Sequence, residues 1–388
     1  MEKELYLDYA ATTPVRKEVL KEMLPYFEKS FGNPSSAHSK GMEGLKAIEE
    51  ARKRVAKILN CDPKEIIFTS GGTESVNLAI KGFAFANKDK GNVIITQKTE
   101  HSAVLNTCKW LESQGFKVIY LDVDEFGLVD LEKLEKAITN QTILVSIMYA
   151  NNEIGTIQPI EEIAKICKTR GVAFHTDACQ AAGYLDLDVQ KLGVDMLTLN
   201  GSKIYGPKGV GLLFVKSGIA LTPLIHGGGQ ELGFRSGTEN VPGIVGLAKA
   251  LELCCEEKDK EVKRLIKLRD YFVGKVLAEI PEVKLNGHPT KRLPNNINLS
   301  FAGIEGEALL TLLNEKGIFV STGSACSSKS LEESHVLKAI GLPILYSHGS
   351  IRISMGRYTK KADLDYVLSV LKESVKKLRG LSPFAKNG

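Results

Sequence analysis

Two residues in the middle of the chain have types and spacing that invite chemistry. Asp177 closes the run Phe174-His175-Thr176-Asp177, and Lys203 follows Leu197-Thr198-Leu199-Asn200-Gly201-Ser202. Each run reads as a short apolar strand ending in a polar loop. Ligands of open α/β sheets bind at the carboxyl ends of strands, so an acid and an amine would project from two such ends. Placed one strand–helix–strand unit apart, they can grip the two ends of a flat ring, a pyridine nitrogen on Asp177 and an aldehyde carbon on Lys203. That is the constellation pyridoxal phosphate requires. An ion pair plus a surface lysine is the bland alternative for the same two residues.

Other stretches carry compatible chemistry. Ile66-Ile67-Phe68-Thr69 runs into Ser70-Gly71-Gly72-Thr73-Glu74-Ser75 and then a helical pattern. Strand, small residues and helix is an arrangement that aims backbone N–H groups at an anion, although a tight turn with an N-cap explains it equally. His101 opens a helix after the strand Val93-Ile94-Ile95-Thr96, where it either stacks on an aromatic cofactor or caps the helix. Cys326 lies in Ser321-Thr322-Gly323-Ser324-Ala325-Cys326-Ser327-Ser328-Lys329-Ser330. Small polar loops are mobile by composition, and cysteine is usually buried, so this thiol is a candidate nucleophile as well as a tolerated loop residue. Arg352 sits inside the apolar strand Ser350–Ser354 and must pair there, with a substrate carboxylate or with an acidic side chain.

The elements that would position these residues alternate between strand and helix patterns up to Val215. That implies a large, mostly parallel sheet covered by helices. A first helix carries Val19, Leu20, Met23, Leu24 and Phe27 on one face, and a second runs from about Gly41 to Leu59. From Pro242 to about Ile280 the pattern is helical and unusually long, and it changes from apolar to charged near Glu256–Lys260. The remainder alternates strands and helices as a smaller α+β domain. The expected division is a large α/β domain over 16–257, with 1–15 and 258–388 forming the smaller domain that carries the Cys326 loop.

Composition excludes several classes. The chain has 388 residues with 51 basic and 46 acidic side chains, a net charge of +5 that does not argue for nucleic acid. Seven scattered cysteines indicate neither a disulfide framework nor a zinc site. The charged start Met1-Glu2-Lys3-Glu4 leads into no apolar run of signal-peptide length, and no stretch has the length of a membrane span. The expectation is a cytoplasmic protein. No Gly-x-Gly-x-x-Gly follows an early strand, which disfavours a nicotinamide oxidoreductase.

Taken together, the motifs resemble those of the pyridoxal-phosphate-dependent cysteine desulfurases of the NifS/IscS type, on the class V aminotransferase fold. The matching stretches are Tyr9–Pro14, Gly32–His38, Ser70–Ser75, Thr99–His101, Asn151–Gly155, Lys203–Gly209, Gly227–Glu231, Arg235–Asn240 and Gly323–Cys326, in that order along essentially the whole chain. The Ser/Gly-rich loop around Cys326 looks like that of the first of the family's two groups, which feeds iron–sulfur assembly and tRNA thiolation. The resemblance implies a fold-type I architecture and a homodimer acting on L-cysteine, with sulfur passed to an iron–sulfur scaffold or another acceptor protein. It implies that Lys203 carries the cofactor, Asp177 holds the pyridinium nitrogen, His101 stacks on the ring and Gln180 bonds the ring hydroxyl. Gly72 and Thr73 would hold the phosphate, with Thr238 reaching it from the other subunit. Asn152 and Arg352 would bind the substrate carboxylate, and Cys326 would take the sulfur as a persulfide.

One place departs from the family pattern, which commonly has Ser-x-His before the lysine, both bonding the phosphate. Here these positions are Asn200 and Ser202, so an imidazolium charge is lost and cofactor affinity or Lys203 reactivity is expected to differ. A selenocysteine lyase or an aminotransferase on the same fold is the alternative enzyme reading, although a plain aminotransferase would not need Cys326. A non-catalytic sulfur carrier is disfavoured because Lys203, Asp177, His101 and Cys326 are all present.

Overall fold

A computed structural model describes residues 4–322 and 333–381 of the chain. Its strands are β1 (Leu5–Tyr6), β2 (Ile66–Thr69), β3 (Val93–Gln97), β4 (Lys117–Leu121), β5 (Thr142–Ser146) and β6 (Ala173–Asp177). They continue with β7 (Met196–Asn200), β8 (Gly211–Val215), β9 (Val283–Leu285), β10 (Asn296–Phe301), β11 (Ile318–Phe319) and β12 (Ser350–Ser354). Seven of them form one sheet in the order β2-β8-β7-β6-β5-β3-β4. Only β8 runs against its neighbours in this sheet. The sheet is mostly parallel and covered on both faces, so its central strands are apolar on both sides.

Alternation along the strands divides the packing. Phe68, Ile95, Val145, Phe174 and Leu197 face one helical layer, which includes Val19, Ile48, Val55 and Leu251. Ile67, Ile94, Leu144, Met196 and Leu213 face the other, with Val76, Ile80, Phe83 and Leu111. A third cluster joins Leu5, Leu7, Phe272, Leu299, Phe301, Ile351 and Leu371 around the three-stranded sheet β12-β10-β9. Here β1 pairs in parallel with β11, which carries the chain start to the C-terminal part.

The long helical pattern is a single helix of 39 residues, Val241–Glu279. Asn240 caps it by accepting from the Gly243 N–H at 3.1 Å, and Pro242 occupies its first turn, where no amide hydrogen is needed. Its buried residues run to Leu251 and resume at Leu265, so the intervening charged stretch bridges the first and third clusters.

The first expected helix is divided into Lys17–Met23 and Pro25–Glu28. Pro25 has no N–H to continue the ladder. Of its apolar stripe only Val19 and Met23 are buried, while Leu20, Leu24 and Phe27 face solvent at 46%, 47% and 59% exposure. Periodicity marks a face as apolar without saying what covers it. The second helix, Ser39–Leu59, ends where Asn60 takes the left-handed conformation at φ +56°. No helix among the described residues is long and apolar enough to cross a membrane.

Candidate active site

The chain visits β3, then β4 on the outer side, and returns to place β5 on the other side of β3. Strand order therefore reverses between β3 and β5, and a crevice opens at their carboxyl ends. His101 follows β3, Asn151–Gly155 follows β5, Asp177 ends β6, Lys203 follows β7 and Gly72 follows β2. All five stretches singled out from sequence leave the same edge of the sheet.

Asp177 is 8% exposed. Its Oδ1 accepts the Cys179 N–H at 2.9 Å, and the Cys179 thiol also lies against this carboxylate. Immediately below it on the same face of β6 lies the fully buried His175, whose ring nitrogens meet Ser146 Oγ at 2.9 Å and Thr198 Oγ1 at 3.0 Å. Burial pushes this imidazole down to about 4, against the opposing pull of the Asp177 charge. Neutral at physiological pH, His175 braces β5, β6 and β7 without neutralising Asp177. No role was read for it from sequence, although a histidine inside an apolar strand is itself a signal that its nitrogens must be satisfied.

Lys203 ends a short 3₁₀ turn, Gly201–Lys203, and is half-buried. Its Nζ donates to the Ala11 carbonyl. The segment Asp8–Thr13 wraps this turn. The Thr13 N–H and hydroxyl both donate to the Ser202 carbonyl at 2.9 Å, and the Tyr205 N–H donates to Thr13 Oγ1 at 2.8 Å. Tyr205 is held at φ +61°, a conformation that costs a non-glycine residue about 1–2 kcal/mol. Its hydroxyl accepts the Arg357 N–H at 2.9 Å. Gln180 Nε2 donates to the Ala10 carbonyl at 2.9 Å, so the same wrap touches the β6 and β7 loops.

Gly71, at φ +154°, opens the helical stretch that begins at Gly72. A side chain at Gly72 would come within 2.9 Å of Cys179 Sγ and 3.6 Å of Asn200 Nδ2. The loops after β2, β6 and β7 therefore meet in a cradle that only glycine leaves open, with the exposed Thr73 at its rim. Thr238 is exposed in the segment behind Arg235, and Arg235 Nε donates to Glu74 Oε1 at 2.9 Å.

His101 caps its helix, its Nδ1 accepting the Ala103 N–H at 3.1 Å. Its neighbour Glu100 is fully buried and was not singled out from sequence. Glu100 Oε1 accepts from the Met148 N–H at 2.6 Å and from Gln97 Nε2 at 3.0 Å. Burial pushes this carboxyl up to about 8; those hydrogen bonds oppose the shift, and the Asp177 charge adds to it. The folded protein therefore keeps the Glu100 proton as pH rises from the ordinary carboxylate range toward 8, while the unfolded chain gives it up. Stability through this group is complete at acid pH and falls as pH climbs through that window. Glu100→Gln cannot lose a proton and should melt higher than the wild type by a margin that widens from about pH 5 to pH 8. Melting temperatures of both proteins across that range test this; a margin that is flat or shrinks with pH contradicts it.

Asn151 shapes the β5 loop. Its Oδ1 accepts from the N–H groups of Glu153 and Ile154, and its Nδ2 donates to the Thr99 carbonyl at 2.7 Å. Asn152, half-buried, gives its carbonyl to Arg352 Nη1 at 2.9 Å. Arg352 is 2% exposed and donates Nη2 to Asp8 Oδ1 at 2.7 Å, so of the two pairings left open by the sequence the structure contains the acidic one. The Ser321 and Arg352 backbones also exchange both hydrogen bonds. Cys326 lies outside the described residues. Further along the chain, the Ser334 hydroxyl donates to Glu153 Oε2 at 2.6 Å, and His335 Nε2 lies 2.9 Å from the Glu100 carbonyl.

The site fits pyridoxal phosphate on its own chemistry. It offers a buried carboxylate, an amine, a ring-capable imidazole and a glycine-walled cradle at one edge of the sheet. Comparison with known proteins agrees with that fit. The family model described as Aminotransferase class-V matches residues 5–367. The chain is 56% identical to "Cysteine desulfurase IscS" of Dictyoglomus turgidum over 384 residues, 99% of this chain and 98% of that one. It is also 56% identical to the protein of the same name from Methanosarcina thermophila over 381 residues, 98% of this chain and 94% of that one. Among solved structures it resembles a "NIFS-LIKE PROTEIN" with a TM-score of 0.92 and 42% identity, covering 97% of this chain and 100% of the other.

Proposed function

This chain belongs to the class V aminotransferases, in the branch that holds the cysteine desulfurases, and from that premise we propose that its crevice removes the sulfur of L-cysteine as a persulfide on Cys326, leaving L-alanine. The observation that carries this reading is that His101, Asp177 and Lys203 all leave the carboxyl edge of the one sheet whose strand order reverses between β3 and β5, with Asp177 buried there. The cofactor is pyridoxal 5′-phosphate, which when bound supplies an electron sink for bonds at the substrate's α-carbon.

The chain's own residues do the rest. Asp177 favours a proton on the ring nitrogen it faces, because a buried carboxylate stabilises an adjacent cation. His101 lies against the ring and Gln180 beside its hydroxyl, while Gly72 and Thr73 hold the phosphate. Lys203 Nζ accepts a proton from the substrate and later returns one to carbon. Arg352 and Asn152 orient the substrate carboxylate, with Arg352 exchanging its bond to Asp8 for the new anion. The Cys326 thiolate attacks the substrate sulfur; the new S–S bond forms as the C–S bond breaks, and the electron pair left on carbon takes the proton that completes alanine. The other cysteines support Cys326 by elimination. Cys61, Cys108, Cys167, Cys179, Cys254 and Cys255 all have thiols pushed up by burial, away from the reactive anion.

The assembly is read as a homodimer of two-domain chains. Leu20, Leu24, Phe27, Phe31 and Met42 lie exposed on the first helices and their connections, an apolar surface of the kind a second copy covers. Thr238, exposed beside Arg235, would reach the partner's phosphate. The division of 16–257 from 1–15 with 258–388 is supported by the separate clusters that the 39-residue helix joins. The sulfur acceptor is an iron–sulfur scaffold or another protein that takes persulfide sulfur.

Incubation with L-cysteine and a thiol reductant tests the reaction. Purified protein should be yellow, change its visible spectrum on addition of L-cysteine, and form L-alanine and sulfide in equal amounts. A keto acid in place of alanine would make it an aminotransferase instead.

A further inference from the structure

Asn200 and Ser202 stand where relatives of this chain commonly carry a serine and a histidine, and their geometry divides the work differently from a simple replacement of donors. Asn200 Oδ1 lies 3.2 Å from the Ser202 N–H and 3.2 Å from Ser202 Oγ. The backbone N–H can only donate, so the amide atom facing it must be the oxygen. That fixes the amide orientation and turns Nδ2 the other way. Nδ2 lies 3.6 Å from where a Gly72 side chain would sit, and none of the described residues accepts its hydrogens. The Ser202 hydroxyl, by contrast, gives its hydrogen to Asn200.

We propose that Asn200 Nδ2 is the side-chain donor from the β7 loop to the cofactor phosphate, and that Ser202 is a positioning residue that locks the Asn200 amide and does not itself bind the phosphate. This rests on the reading of the site as a pyridoxal phosphate site and assigns roles within its phosphate cradle. The chemistry follows from the ligand. A phosphate dianion is an acceptor and needs N–H or O–H groups. Asn200 has both hydrogens of its amide to offer toward Gly72, whereas Ser202 has one hydrogen, already committed. With both residues uncharged, the β7 loop contributes a neutral donor.

Two near-isosteric changes separate the roles. Asn200→Asp keeps the oxygen that accepts from Ser202, so the turn before Lys203 retains its cap, but it replaces the outward donor with an anion facing the phosphate. Ser202→Ala keeps the capping N–H and removes only the hydroxyl. Cofactor-free protein of each variant is titrated with pyridoxal 5′-phosphate and, separately, with pyridoxal, and binding is followed by visible absorbance. A lost hydrogen bond to a charged group corresponds to roughly tenfold or more in affinity. Asn200→Asp should therefore weaken pyridoxal 5′-phosphate binding by at least about tenfold and leave pyridoxal binding within about threefold of wild type. Ser202→Ala should stay within about threefold for both ligands. If Ser202→Ala loses as much phosphate-dependent affinity as Asn200→Asp, or if Asn200→Asp binds like wild type, the division of roles is wrong. If the wild type itself binds neither ligand, the cofactor reading fails instead.

Discussion

Lys203→Ala protein is expected to hold no covalently attached pyridoxal phosphate and to release sulfide from L-cysteine at least about 10²–10⁴-fold more slowly than wild type, the range expected for loss of a positioned proton-transfer group alone. The structure explains why no other amine should substitute. Lys203 sits on a turn fixed by Thr13 and by the left-handed Tyr205, with its side chain directed at the Ala11 carbonyl. The neighbouring Lys208 instead reaches toward the Thr13 carbonyl, at 3.5 Å. Borohydride reduction of wild-type protein followed by peptide mapping should place the cofactor on the peptide that contains Lys203. Retention of a reducible link in Lys203→Ala, or a map that points to another lysine, overturns the assignment.

Cys326→Ser should separate binding from sulfur transfer. Cofactor content and the spectral response to L-cysteine should match wild type, since Asp177, Lys203 and Arg352 are unchanged, while sulfide release and protein-bound persulfide should collapse to background. Mass spectrometry of wild type after a brief exposure to L-cysteine should find one added sulfur on the Cys326 peptide. Added sulfur on Cys179 or Cys61 would contradict the thiol energetics: burial pushes Cys61 up to about 12, and Cys179 is raised by burial and by the adjacent Asp177 charge. A Cys326→Ser enzyme that desulfurates at the wild-type rate would return the reaction to a lyase or aminotransferase chemistry.

The placement of the candidate residues was legible where chemistry follows immediately on an apolar run. His101, Asp177 and Lys203 each stand within a few residues of a strand end, and a strand end is a local feature. The reversal of strand order between β3 and β5 is not local, so the crevice itself emerged only from the sheet. Long-range pairing hid the rest. Arg352 could be recognised as a residue in need of a partner, but Asp8, its partner in the fold, lies at the far end of the chain. Glu100 enters the sequence reading only as part of Thr99–His101, because nothing near it in sequence announces burial; the β5 end and the His335 segment enclose it. The stripe from Leu20 to Phe27 shows the converse: its period predicts an apolar face correctly, and the monomer leaves most of that face uncovered. Asn200 and Ser202 were visible as departures, but which of them donates outward depends on one amide orientation.

The backbone pairing of Ser321 with Arg352 has a consequence for any molecule that receives sulfur. Cys326 follows Ser321 by five residues and precedes Ser334 by eight. A chain extends at most about 3.5 Å per residue, so Cys326 lies within about 17 Å of Ser321 and within about 28 Å of Ser334, whatever path the chain follows. The shorter distance sets the limit, and its fixed end lies beside the arginine of the crevice. On the proposed role of Cys326, a recipient whose accepting atom stays more than a side chain beyond that radius would receive no sulfur, however tightly it docks elsewhere. On the same proposal, residues inserted between Thr322 and Cys326 would widen the set of recipients within range, and deletions there would narrow it.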